Sequence, residues 1–201
     1  MDIWSDPKPW LVRECVEYLE AVVSPEDLVL EFGGGASTIW WAKRCQYTYT
    51  AEASVRWASV LIEKMIEHPD ALAKWSMIFA PCEWTDNHET PKPFWQHPRR
   101  KISREQAEQL ERAYLNIAIP FVPTIIVIDG SVRARSLFVA DQIVRRHSEV
   151  RMVVVDNMET MSRHTSDKFP GFAAKHFDET DLDYIPKHQN NVWRTTVFER
   201  I

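Results

Sequence analysis

The stretch Leu28-Val29-Leu30-Glu31-Phe32-Gly33-Gly34-Gly35-Ala36-Ser37-Thr38 decides the fold. Its first five residues are an apolar run of the length of a buried strand, and the run stops on glycines. The whole chain of 201 residues has five glycines, and three of them stand here in a row. A sequence so sparing of glycine needs its backbone bare at this point. Residues 36–45 then read as a helix, with Ser37 and Thr38 in its first turn. Residues 47–53 read as a second strand, with Glu52 at its end.

Strand, bare turn, helix and second strand form the unit of a doubly wound sheet, whose ligands bind at the carboxyl edge of the strands. Glycines let a ligand approach the main chain, and the helix start offers free N–H groups. A carboxylate closing the second strand can accept hydrogen bonds from ribose hydroxyls. A tight turn with no ligand would explain the glycines but not the separate acid, so the pattern points to a nucleoside. A dinucleotide fingerprint, Gly-x-Gly-x-x-Gly, fits poorly. Counted from Gly33 its third glycine would be Thr38, and counted from Gly34 its second would be Ala36.

Outward from the turn the alternation continues. Residues 9–23 place Leu11, Cys15, Tyr18, Leu19 and Val22 on one helical face. Residues 54–68 predict a helix whose apolar face is Val55, Ala58, Ile62, Met65 and Ile66. Strands are expected at 75–80, 124–130 and 152–156, and helices at 103–116 and 133–147. Residues 83–102, with three prolines and the aromatics Trp84, Phe94 and Trp95, read as a long loop or lid. Residues 159–177 are polar and show no period. The runs Leu182 to Ile185 and Val192 to Ile201 read as two strands in an antiparallel hairpin at one edge. Alternating strands and helices imply an α/β fold with a largely parallel sheet, and a single domain over 1–201.

Composition excludes several classes. Apolar residues are 45% and charged residues 26%, ordinary for a globular chain and too apolar for a disordered one. No apolar run reaches the length of a membrane span, and no membrane partner is expected. The first residues lack a basic segment followed by an apolar one, so no secretory leader is expected. Three cysteines, Cys15, Cys45 and Cys82, have no metal-type spacing and read as reduced thiols of a cytoplasmic protein. A net charge of −5 argues against a general nucleic-acid binder.

At the glycine turn the sequence resembles class I S-adenosylmethionine-dependent methyltransferases. Glu31-Phe32-Gly33-Gly34-Gly35 is similar to that family's first motif, Glu/Asp-x-Gly-x-Gly. Ser37, Thr38, Trp41 and Ala42 look like a branch found among small bacterial members, as does the ending Trp193-Arg194-Thr195-Thr196-Val197-Phe198. The resemblance implies a Rossmann-like, mostly parallel seven-stranded sheet of order 3-2-1-4-5-7-6, with a C-terminal antiparallel pair and helices on both faces. It implies S-adenosylmethionine as cofactor. Gly33, Gly34 and Gly35, with Ser37 and Thr38, would lie along it, Glu31 facing its methionine end and Glu52 its ribose. Glu83 or Cys82 would lie near the adenine.

Asp129 ends one strong strand, and Asp156-Asn157 ends another. The pair is similar to catechol O-methyltransferase-like enzymes, where Asp, Asp and Asn from these strands bind a divalent metal. Hard oxygen ligands of this kind suit magnesium, calcium or manganese. Those enzymes carry a lysine a few residues after the first Asp, and this chain has Arg133. The other reading makes both acids polar strand ends that cap the following helices. Asp129 is the candidate catalytic residue in either case.

Trp4, Trp10, Trp40 and Trp41 flank the turn; Trp40 or Trp41, and Trp57, are expected in the core. Arg99, Arg100, Lys101 and Arg104 form a basic cluster, and His88, His97, His164 and His188 are loop histidines that could act as a base. The expected reaction is methyl transfer to a small or medium acceptor, a hydroxyl for preference. A cofactor-binding module acting through protein contacts would carry the same residues, and turnover separates the two.

Overall fold

The computed structural model describes residues 4–80, 109, 112–113, 116–130, 133–158, 169–180 and 192–201. In chain order the described elements are α1 (Arg13–Val22), β1 (Leu28–Phe32), α2 (Ala36–Arg44), β2 (Tyr47–Glu52), α3 (Val55–Ile66), the short α4 (Pro69–Leu72), β3 (Trp75–Phe79) and β4 (Ile125–Ile128). They continue with α5 (Arg133–Arg146), β5 (Met152–Val155), β6 (Phe172–Glu179) and β7 (Trp193–Arg200). The seven strands make one sheet of order β3-β2-β1-β4-β5-β7-β6. β1 to β5 are parallel, and β7 runs antiparallel to both β5 and β6. The sheet order and the C-terminal antiparallel pair agree with expectation.

Apart from Glu31 the central strands β1, β4 and β5 are apolar, because both faces are covered. Val29, Ile125, Val127, Met152 and Val154 pack under α1 and α2 with Leu11, Cys15, Leu19, Trp40 and Trp41. Their neighbours Leu30, Phe32, Ile126, Ile128, Val153 and Val155 face the other way, against Leu137, Ala140 and Val144 of α5. A third cluster, Ile39, Ala42, Leu61, Met65 and Ala71, joins α2, α3 and α4. At the amino edge Asp27, Thr124 and Arg151 lock the starts of β1, β4 and β5 together. Arg151 Nε donates to Asp27 Oδ1 at 2.9 Å, and Thr124 Oγ1 donates to the same oxygen at 2.7 Å.

Three expectations need correction. The partner of the last strand is Phe172–Glu179, most of which falls within 159–177, expected to be polar and without period; the 182–185 run lies outside the described residues. The buried face of α3 is Ala58, Leu61 and Met65, while Val55, Ile62 and Ile66 are exposed. Trp57 is 39% exposed and leans on Trp4, whereas Trp40 and Trp41 are buried as expected. Cys15 and Cys45 are buried free thiols pushed up to about 12 by burial. No helix among the described residues is long and apolar enough to cross a membrane. The 83–102 loop, most of the 103–116 helix, the basic cluster at 99–104, Cys82, Glu83 and the four loop histidines lie outside the described residues.

Candidate active site at the carboxyl edge

The parallel strands bring the ends of β1, β2, β4 and β5 side by side. Gly33 N–H donates to Ala51 O at 2.9 Å, tying the β1 end to β2. Asp129 and Gly130 N–H both donate to Phe32 O, at 3.0 and 2.7 Å, tying it to β4. Asp156 N–H continues the ladder to Ile128 O at 3.0 Å. The sequence candidates Gly33, Gly34, Gly35, Glu52, Asp129 and Asp156 therefore share one edge.

The three glycines differ in what forces them. Gly33 has φ +95°, and a Cβ there would lie 2.3 Å from Gly130 Cα. A Cβ on Gly34 would lie 2.7 Å from Leu61 Cδ2 and 3.0 Å from Thr50 Cγ2. Both are held to glycine by the protein's own packing. Gly35 is in extended backbone at φ −177°, which any residue adopts, and a Cβ there would meet none of the described residues within 4 Å. Among the described residues, its side of the turn is open.

Glu31 lies on the strand face that looks at α2. Ser37 Oγ donates to its Oε1 at 2.6 Å, and Thr38 Oγ1 and Thr50 Oγ1 donate to Oε2 at 2.5 and 3.0 Å. Thr38 Oγ1 also accepts from Gly35 N–H at 3.0 Å, so the buried carboxyl braces the turn through the first turn of α2. Ser37 and Thr38 are themselves buried, and both serve Glu31. Burial pushes Glu31 up to about 7, against the three hydroxyl donors that favour its charge. Its folded value then lies above the unfolded one, so its stabilising contribution is full below about 4.5 and lost as pH rises through about 7. Glu31→Gln should flatten the fall in melting temperature between pH 5 and 8, a change on the order of 1–3 kcal/mol in stability. Thermal melts of both proteins across that range measure it, and parallel curves would overturn the expectation.

Glu52 is 5% exposed, where an open site would have left it in solvent. Its Oε1 accepts Ala53 and Ser54 N–H at 2.8 and 2.6 Å, and its Oε2 accepts Gly34 N–H at 2.6 Å. Burial raises its pKa, opposed by these backbone donors. The carboxylate thus fixes the turn between β2 and α3 to the glycine turn. Oε2 accepts one hydrogen bond from the protein and keeps a lone pair for another donor.

Asp129 is 23% exposed in its side chain, and Arg133 Nη2 donates to its Oδ1 at 2.8 Å. The same nitrogen lies 3.5 Å from Asp156 Oδ2. Asp156 Oδ1 accepts Trp193 Nε1–H at 2.9 Å and Thr195 Oγ1–H at 3.1 Å, both from β7. Burial raises both acids, the Asp129 charge raises Asp156 further, and the Arg133 guanidinium opposes the rise. Asn157 follows with φ 52°, a left-handed turn that asparagine tolerates. Arg133, Trp193 and Thr195 were not read as site residues from sequence. The signal for Arg133 was its place four residues after a strand-end acid, one helical turn away.

No protein-family model matches this sequence, and no curated protein matches it. Solved structures do. A methyltransferase-like protein from Silicibacter pomeroyi is 17% identical, with TM-score 0.57, over 95% of this chain and 88% of that one. A Klebsiella pneumoniae protein assigned as an O-methyltransferase is 15% identical, with TM-score 0.56, over 98% and 84%. A Streptococcus pneumoniae protein assigned as a tRNA methyltransferase, solved with S-adenosyl-L-methionine, is 12% identical, with TM-score 0.54, over 94% and 73%. At these identities the likeness is one of fold: the chain has the Rossmann-like fold of class I methyltransferases.

Proposed function

We propose that the protein is an S-adenosylmethionine-dependent methyltransferase acting on a small or medium acceptor through a hydroxyl. The observation that carries the reading is the glycine turn: packing holds Gly33 and Gly34 to glycine, and at Gly35, the N-cap of α2, none of the described residues lies within 4 Å of where a Cβ would stand, which leaves room for a ligand against the main chain. Gly35 borders that opening, and Glu52 Oε2 offers the remaining lone pair to a ribose hydroxyl. The structural likeness supports the same cofactor, since one similar structure holds it.

When bound, the cofactor supplies a sulfonium methyl that needs no further activation. The protein's part is to align the acceptor oxygen with that methyl and keep water out. Asp129, at the end of β4 beside the glycine turn, orients the acceptor hydroxyl and receives its proton. With the cofactor bound, its methyl would pass to the acceptor oxygen, with S-adenosylhomocysteine as the other product. A net charge of −5 favours a small acceptor over RNA. Methylation of transfer RNA with no activity on small hydroxyl compounds would overturn the acceptor assignment and keep the cofactor assignment.

S-adenosylhomocysteine should raise the melting temperature, by about 2.7 kcal/mol of stabilisation at a hundredfold excess over Kd, and NAD should not. A shift with NAD alone would overturn the proposal. Glu52→Ala should weaken S-adenosylhomocysteine about ten- to a hundredfold, a charged hydrogen bond being worth roughly 1.5–3 kcal/mol. It should also destabilise the free protein by about 1–3 kcal/mol, because three backbone N–H groups lose their acceptor. Calorimetric titration and a denaturant melt read the two effects separately. Unchanged affinity would remove Glu52 from the cofactor site.

A further inference from the structure

The geometry points to Arg133 as the built-in cation of this site: its guanidinium takes the place between Asp129 and Asp156 where a divalent metal would otherwise sit. The inference deepens the methyltransferase reading and is tested apart from it.

Three observations support it. One nitrogen, Arg133 Nη2, contacts both strand-end carboxylates, at 2.8 Å to Asp129 Oδ1 and 3.5 Å to Asp156 Oδ2. A metal ion held by these two acids would have to occupy that same volume, and a guanidinium cannot share it with a second cation. The other oxygen of Asp156 is already taken by Trp193 Nε1–H and Thr195 Oγ1–H, an indole and a hydroxyl from the antiparallel strand. These neutral donors hold Asp156 Oδ1 and leave Oδ2 towards Arg133. The donor set is also short. Magnesium wants six oxygens in near-octahedral array, and calcium six to eight. Among the described residues no three His, Cys, Asp or Glu side chains gather around one point. Of the Asp, Asp and Asn pattern legible in the sequence, the two carboxylates stand together with the Arg133 guanidinium between them.

Arg133 is placed for this by the helix it opens. It is the first residue of α5, four positions beyond Asp129, so the side chain folds back over the strand end. Both contacts run through the one nitrogen, Nη2, so the guanidinium stands between the two carboxylates as a single cation. It acts as a positioning residue: by holding Asp129 Oδ1 it sets the direction of the carboxyl group that meets the acceptor.

The test measures Mn2+ binding by the electron paramagnetic resonance signal of the free ion, with the whole protein. The wild type and Arg133→Lys should leave millimolar Mn2+ free. Arg133→Ser vacates the cation position and should bind Mn2+ at least tenfold more tightly than the wild type, and Arg133→Ser with Asp129→Asn should lose that gain. Melting of Arg133→Ser should rise with added Mn2+, while that of the wild type should not. A Mn2+ affinity in Arg133→Ser equal to that of the wild type would overturn the proposal. Should Arg133→Ser fail to fold, the wild type still decides: Mn2+ binding that Asp129→Asn abolishes would show that a metal, not Arg133, is the cation, and its absence would uphold Arg133. S-adenosylhomocysteine binding on the same samples separates the two readings, since its failure would strike the methyltransferase proposal and leave the Mn2+ result standing.

Discussion

Asp129→Asn is expected to lower turnover by about 10²–10⁴, the range for removing a positioned general base, while S-adenosylhomocysteine affinity stays within about twofold. The split follows from where the residue stands. Asp129 closes β4, next to the β1 end, and its backbone N–H continues the ladder to Phe32 O. Its carboxylate is clamped on one oxygen by Arg133, lies beside that of Asp156, and is 23% exposed, so an acceptor can reach it. Asparagine keeps the size and can still offer a carbonyl oxygen to Arg133, so the strand end should hold its shape. It cannot take a proton. Steady-state rates with calorimetry on the same preparation read both quantities. Full turnover in Asp129→Asn would reduce Asp129 to a partner of Arg133 and leave the proton acceptor elsewhere. An equal loss of cofactor affinity would mean that the substitution deforms the glycine turn.

Much of this edge was legible because the central strands are buried on both faces. β4 and β5 are unbroken apolar runs and β1 is apolar but for Glu31, and each stops on a polar or glycine residue at the carboxyl edge. A run that ends in Asp129-Gly130 or Asp156-Asn157 marks its own carboxyl end. β6 offers no such mark. It is an edge strand, exposed at Ala173, Ala174, Lys175 and His176, and Phe177 is its one fully buried residue. Backbone pairing with β7 holds it, and pairing leaves no trace in hydropathy. The face of α3 misled for a related reason. Ala58, Leu61 and Met65 line the cluster with α2, while Val55, Ile62 and Ile66 are as apolar but point to solvent, and composition cannot say which apolar stripe is covered. The roles of Glu31 and Glu52 were legible as positions only. That both carboxyls tie the protein's own turns together depends on hydroxyls and N–H groups that folding brings near: Thr50 reaches Glu31 from the neighbouring strand, and Gly34 reaches Glu52 across the turn.

Gly33→Ala and Gly35→Val should fail in opposite ways, and the contrast tests the glycine turn as a ligand site. At Gly33 the backbone is left-handed at φ +95°, a strained conformation for alanine, and the new methyl carbon would stand 2.3 Å from Gly130 Cα. The obstacle is backbone at the end of β4, which cannot rotate away as a side chain could. Strain of order 1–3 kcal/mol adds to the cost of prising β1 from β4, so Gly33→Ala should lose several kcal/mol of stability or fail to fold. At Gly35 the extended backbone suits valine, and none of the described residues lies within 4 Å of the new Cβ. Gly35→Val should therefore melt within about 1 kcal/mol of the wild type, as surface substitutions do. Its isopropyl group fills the space through which a ligand would approach the main chain, so the stabilisation by S-adenosylhomocysteine should vanish. Two melts for each variant, with and without the ligand, are enough. A Gly35→Val protein that is stable and still stabilised by S-adenosylhomocysteine would move the cofactor away from this turn. The same protein, stable and unresponsive, would place the ligand against the main chain at Gly35.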